Sequence, residues 1–158
     1  MEIGCASGPN LWLLARKYPK AIFFGIDISK KAIKTGRNFF KNENIGNVFL
    51  SSGRAAKLKG FKDKSIDIIF TDAVMIYQGA DKINQVISEM VRVAKKVIIL
   101  REWQGNIPNS FRQGHWVHNY RFLFSNFVPV KKIKISRIPE NLMEEGWGKL
   151  DYIIEVIL

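Results

Sequence analysis

The chain has 158 residues, 47% hydrophobic and 25% charged, the profile of one globular domain. It carries 25 Lys and Arg against 14 Asp and Glu, a formal charge of +11, and its single cysteine, Cys5, excludes an internal disulfide. No apolar run reaches the roughly 18–20 residues of a membrane helix, and no charged leader precedes an apolar stretch at the N-terminus. These features together point to a reducing compartment, the cytoplasm. The basic residues read as dispersed, apart from Lys131, Lys132 and Lys134. The charge therefore reads first as a solvated surface and second as a nucleic-acid patch.

The chain opens on "EIGCASG", a glycine-punctuated turn, and runs directly into "PNLWLLARKY". Pro9 suits the first turn of a helix, where its missing N–H costs nothing. "AIFFGID" (21–27) is a short apolar run, as in a strand buried on both faces. A helix follows over 29–42, with Ser29 as its cap and Ala32, Ile33, Gly36, Phe39 and Phe40 on one face. Residues 47–52 and 65–72 read as further strands. Residues 81–94 place Ile83, Val86, Ile87, Met90 and Ala94 at helical spacing, and 95–102 return to a strand. A loop then precedes a predicted helix around "HWVHNYRFLFSN", in which His115 and His118 would share a face. The tail holds two strand-like stretches, 131–138 and 150–158. Their connector is too short for a useful helix, so they read as an antiparallel hairpin. The pattern predicts one α/β domain over 1–158: a doubly wound, Rossmann-like, mostly parallel sheet closed by a C-terminal antiparallel hairpin.

Small residues at Gly4, Ala6 and Gly8 let the chain turn sharply and let a ligand approach the backbone. Asp27 stands nineteen positions beyond Gly8, at the end of the next strand, where an acid would bind ribose hydroxyls. A dinucleotide fingerprint, G-x-G-x-x-G, matches poorly: its second and third glycine positions hold Ala6 and Pro9. That disfavours a nicotinamide-dependent oxidoreductase.

The stretch instead resembles the first motif of the class I S-adenosylmethionine-dependent methyltransferases, an acid followed by Gly-x-Gly-x-Gly. Glu2, Gly4, Ala6 and Gly8 match it, with Ala6 in place of the middle glycine, and "GIDIS" (25–29) is similar to the motif that follows. The resemblance is specific over residues 2–29 and architectural beyond about residue 75. It implies the class I methyltransferase fold and S-adenosylmethionine as cofactor. The residues it implies around that cofactor are Glu2, Gly4, Cys5, Ala6, Gly8, Asp27, Ile28, Ser52 and Asp72. Where family members often carry an acid for the adenine amino group, this chain reads "FLSSGRAAKL" and has none. Backbone atoms or Ser52 would serve instead. Family members also have more strand before the first acid. The first strand here therefore reads as truncated, by fragmentation or a misassigned start, with a native, partly open domain completed by a partner, such as a second copy in an oligomer, as the third explanation.

The acceptor is expected beyond the fourth strand, at "TDAVMIYQ" (71–78). The prolines that mark methylation of base amino groups are absent from it. The reading is therefore methyl transfer to a small-molecule or biosynthetic acceptor. An RNA or DNA methyltransferase and a degenerate, non-catalytic binding domain are the alternatives. Asp72, His115 and His118 are the candidates for catalytic roles, and Tyr77, Trp116 and Tyr120 for the walls. Glu102 and Trp103 are expected near the same mouth. Two histidines without a third marked ligand give no metal site. Cys5 is expected to pack behind the turn rather than act as a nucleophile.

Overall fold

The computed structural model describes residues 1–107, 109–142 and 150–158. Its strands and helices follow in chain order as β1 (Glu2–Ile3), α1 (Pro9–Lys17), β2 (Phe23–Asp27), α2 (Lys30–Asn42), β3 (Val48–Ser52), β4 (Ile66–Asp72), α3 (Ile83–Val93) and β5 (Ala94–Trp103). They continue as β6 (Ser110–Arg112), β7 (His115–Val117), α4 (Tyr120–Ser125), β8 (Ile133–Arg137) and β9 (Asp151–Ile157). Seven strands form one sheet in the order β3-β2-β1-β4-β5-β9-β8. β3 through β5 are parallel, and β9 enters antiparallel between β5 and β8. The doubly wound sheet and its closing hairpin are as the apolar runs predict.

Each helix forms where its apolar spacing allows one buried stripe. In α2, Ile33, Gly36 and Phe40 are buried, and the Ser29 hydroxyl accepts the Ala32 amide at 3.2 Å to cap the helix. α1 and α2 pack on one face of the sheet through Leu11, Ile33, Phe40 and Leu50, with Cys5 beneath them. α3 and α4 cover the other face through Ile83, Ile87, Met90, Leu123 and Phe124. The chain winds outward from β1 to β3, then returns to β4 beside β1. That reversal opens a crevice at the carboxyl ends of β1 and β4, the usual ligand position in such sheets.

β1 has two residues between the five of β2 and the seven of β4. It still pairs with both neighbours, Glu2 opposite Gly25 and Phe70, and Ile3 opposite Ile26 and Thr71. Met1 is buried, and its ammonium donates to the Ile68 carbonyl at 2.7 Å.

The helix predicted around 115–126 begins later than expected. His115–Val117 is the second strand of a small hairpin with Ser110–Arg112, and only Tyr120–Ser125 is helical. Asn119 is the reason for the late start: its side chain caps α4 by accepting the Phe122 amide at 3.0 Å. His115 and His118 therefore share no helix face. The connector between the last two strands lies largely outside the described residues.

Candidate functional site

The glycine turn is bolted to the end of β2. Gly4, Ala6 and Gly8 all take left-handed conformations, with φ of 75°, 47° and 90°. The Gly4 and Cys5 amides donate to the Ile26 carbonyl at 2.7 and 3.1 Å. The Ala6 amide donates to Asp27 Oδ2 at 2.8 Å, and the Ser29 amide to Asp27 Oδ1 at 2.7 Å. Asp27 is thus held by one backbone donor on each oxygen. A carboxylate oxygen accepts more than one hydrogen bond, so both keep acceptor capacity toward the cleft.

That cleft has a volume of about 480 Å³, within the range of small-ligand pockets. Its apolar lining includes Ile3, Ile26, Ile28, Ala55 and Val74. Its polar lining includes Asp27, Arg54, Asp72, Tyr77, Gln78 and Lys82. Ile28 and Tyr77 are 67% and 66% exposed, apolar surface turned to solvent where a planar ligand would cover it. Gly4 also lines the cleft, and an added Cβ there would collide with Val74.

The other residues singled out in the sequence stand around this cleft rather than on its wall. Cys5 is buried under α1 against Gly25 and Leu11, and burial pushes its thiol up to about 12. It is a packing residue, as expected. Gly8 backs onto Phe40, and Ser52 is exposed at the end of β3 opposite Asp27. Glu2 is buried on the α1 side. Its Oε1 accepts from Asn10 Nδ2 at 2.8 Å, its Oε2 has no partner among the described residues, and burial raises the acid to about 7.

The side of the cleft beyond Asp72 is built by the 3-10 turn Met75–Tyr77, β5 and the β6–β7 hairpin. Asp72, at the mouth, faces Arg101 at 3.4 Å, and Arg101 also pairs with the buried Asp151 at 3.0 Å. Glu102 lies fully buried beneath the turn. Its Oε1 accepts from the Thr71 hydroxyl and the Val74 amide, both at 2.8 Å, and burial raises its acid to about 7. Glu102 thereby fixes the chain entering the turn.

The two histidines differ in kind. His118 is buried. Its Nε2 lies 3.1 Å from the Met75 carbonyl and 3.0 Å from the Gln78 carbonyl, and its Nδ1 meets the Asn109 side-chain amide at 2.8 Å. Burial lowers its basicity, so it is a neutral tie between hairpin and turn. His115 sits at the rim, edge-on to Tyr77 and Trp103 with ring centroids 5.2 and 5.4 Å away. Tyr120, expected on the wall, is instead fully buried in the core among α3 and α4. Trp116 is partly exposed near Gly79 and stacks parallel to His118 at 6.4 Å. Lys82 and Ala55, both on the cleft, carried no sequence signal; they are brought in by the turn after β4 and the chain after β3.

A doubly wound sheet with a ligand crevice at its switch point, a glycine turn before the first helix and an anchored acid ending the second strand defines the class I methyltransferase fold. The chain belongs to the family described as a methyltransferase domain, whose model matches residues 1–97. The magnesium protoporphyrin IX methyltransferase of Synechocystis, solved with bound S-adenosylmethionine, superposes with a TM-score of 0.70 at 19% identity. That superposition covers 99% of this chain and 67% of the other. Protein RP028 of Rickettsia prowazekii is 29% identical over 129 residues, 77% of this chain and 50% of that protein. A tRNA (guanine-N(7)-)-methyltransferase of Oceanobacillus iheyensis is 31% identical over 71 residues, 44% of this chain and 33% of that protein. The chain thus spans about half of one curated relative and a third of the other. No helix among the described residues is long and apolar enough to cross a membrane.

Proposed function

We propose that this domain binds S-adenosylmethionine in the cleft between Asp27 and Tyr77 and supports methyl transfer to an acceptor entering beside Asp72. The observation that carries the reading is Asp27. An acid held by two amides, with acceptor capacity facing an apolar cleft, suits the two neighbouring hydroxyls of a ribose. Ile28, Ala55 and Val74 offer apolar surface to an adenine ring, whose amino group would meet backbone near Gly53 or the Ser52 hydroxyl. Gly4, Ala6 and Gly8 bring the backbone close to the methionine moiety. Glu2 orients Asn10 at the start of α1.

The bound cofactor supplies an activated methyl group that leaves by in-line displacement, so the protein's task is alignment and proximity. Asp72, held by Arg101, is the group placed to orient the acceptor. Tyr77 and His115 form an aromatic rim at the entrance, with the buried Trp103 behind His115. A small acceptor is the first reading, because the chain after β4 lacks the prolines of base-amino methylation. Methylation of RNA is the second, favoured by the charge distribution of the folded domain and by the similarity to a tRNA methyltransferase. The single buried cysteine suits a reducing cytoplasm.

Calorimetric titration with S-adenosylhomocysteine, with NAD and NADP as controls, tests the cofactor. Micromolar binding of the first alone supports the reading. Equal or tighter binding of a dinucleotide refutes it, and no binding points to a domain that no longer holds a cofactor.

A further inference from the structure

Part of the basic charge gathers on one margin once the chain folds. Residues 28–62 hold nine Lys and Arg and a single acid, Glu43. This segment builds one margin of the molecule: α2 on one face of the sheet, the open edge strand β3, and the chain after β3 on the other face. Lys30, Lys34, Arg37 and Lys41 recur along one flank of α2 at spacings of four, three and four. The Arg37 guanidinium reaches the β3 carbonyl of Leu50 at 2.8 Å, which places that flank on the β3 side. Lys57, Lys59 and Lys62 stand on the returning chain, whose Phe61 packs edge-on to Phe24 at 5.5 Å. Arg54 carries the charge into the cleft. All nine side chains are exposed, and none makes an ion pair among the described residues.

Folding alone does not favour this arrangement. Lys30–Lys34 and Arg37–Lys41 are like-charge pairs at i,i+4, which destabilise a helix. Lys30 and Lys31 sit in the first turn of α2, at the positive end of its dipole, and that turn holds no acid of its own. A surface that concentrates repulsion is complementary to a polyanion. Phe49 of β3 is 53% exposed on this margin and packs against Phe24 at 5.8 Å, an aromatic face set among the cations. Basic tracks with exposed aromatic faces suit single strands, whose phosphates follow the charge while bases stack. RNA is the nucleic acid that presents such unpaired stretches in its loops and ends.

We propose that the β3 margin, from the α2 flank to Lys62, is a docking surface for single-stranded RNA. It lies beside the adenosine end of the candidate cofactor cleft and continues into it through Arg54. The docking does not depend on cofactor binding, so the two readings stand or fall separately.

The test is fluorescence anisotropy with a labelled oligouridylate of about 20 nucleotides. Neutralising about five phosphates predicts a loss of affinity of roughly 100-fold between about 50 and 200 mM salt. The triple variant Lys34→Glu, Lys41→Glu, Lys59→Glu should lose at least roughly tenfold more affinity than Lys95→Glu, Arg121→Glu, Lys131→Glu, which changes net charge equally elsewhere. Both triple variants should keep wild-type affinity for S-adenosylhomocysteine if the wild type binds it. If the first triple variant does not fold, Lys→Gln at the same three positions carries the comparison, and the wild-type salt slope stands alone. A flat salt dependence, equal losses in the two variants, tighter binding to duplex DNA, or binding to phosphatidylserine vesicles without binding to RNA would each overturn the proposal.

Discussion

Ala6 donates its amide to the Asp27 carboxylate across 2.8 Å while holding a φ of 47°, a conformation that suits glycine better than alanine. Ala6 lies in the β1–α1 turn and Asp27 ends β2, and geometry joins them. The turn orients the acid, and the acid keeps the turn closed in spite of its strain.

Ala6→Gly should therefore stabilise the domain. Removing the Cβ relieves left-handed strain of about 1–2 kcal/mol, partly offset by the greater freedom of glycine in the unfolded chain. A net gain of about 0.5–1 kcal/mol corresponds to a rise in Tm of roughly 1–4 °C, readable by thermal melting. A fall in Tm would mean that the alanine methyl packs usefully.

Asp27→Ala should weaken S-adenosylhomocysteine binding by about 1–3 kcal/mol through lost charge-assisted hydrogen bonds. It also strips the Ala6 and Ser29 amides of their acceptor, so melting curves should be run beside the titration. Unchanged affinity in a folded variant refutes the ribose assignment.

Glu102→Gln tests the buried acid under the Met75–Tyr77 turn. Burial raises Glu102 to about 7 from the ordinary 4.5, so the folded protein keeps a proton that the unfolded chain releases. Its favourable contribution is complete below about pH 4.5 and is lost as pH rises through 7. The amide variant cannot lose that proton. It should flatten the decline in stability over this window by about 1–3 kcal/mol, seen in denaturant titrations at pH 5 and 8. Parallel pH profiles for variant and wild type would show that Glu102 titrates normally.

His118→Ala should destabilise by about 2–3 kcal/mol, because it leaves the buried Met75 carbonyl and the half-buried Gln78 carbonyl without this donor and opens a cavity. His115→Ala removes edge contacts with Tyr77 and Trp103 and an exposed hydrogen bond to the Gln113 carbonyl, and should cost about 1 kcal/mol or less. Neither ring lines the cleft beside Asp27. Folded variants of both should bind S-adenosylhomocysteine like the wild type. A large loss in His115→Ala would place the hairpin over the cofactor instead of at its rim.

The alternation of apolar runs and helical stripes was enough to predict the sheet, because strands buried on both faces and one-sided helices leave period signals that no tertiary detail alters. The turn from Glu2 to Gly8 and the acid Asp27 were legible for the same reason: tight backbone demands small residues, and the acid falls at a strand end. The β6–β7 hairpin was not legible. Its strands have three residues each, too few for an alternation to show, and "HWVHNYRFLF" contains apolar spacing that also fits a helix.

By itself, the sequence determined the doubly wound sheet, the place of the crevice and the pairing of glycine turn with strand-end acid, since all follow from local periodicity and chain order. Only the tertiary structure decided which groups share a site. Glu102 and Thr71 stand 31 positions apart and His118 and Met75 stand 43 apart, yet each pair meets in the interior. Nine cations spread over 28–62 become one margin because α2, β3 and the returning chain wrap a single sheet edge. Side chains distant in sequence become neighbours through strand pairing and helix packing, and one-dimensional spacing does not encode those distances.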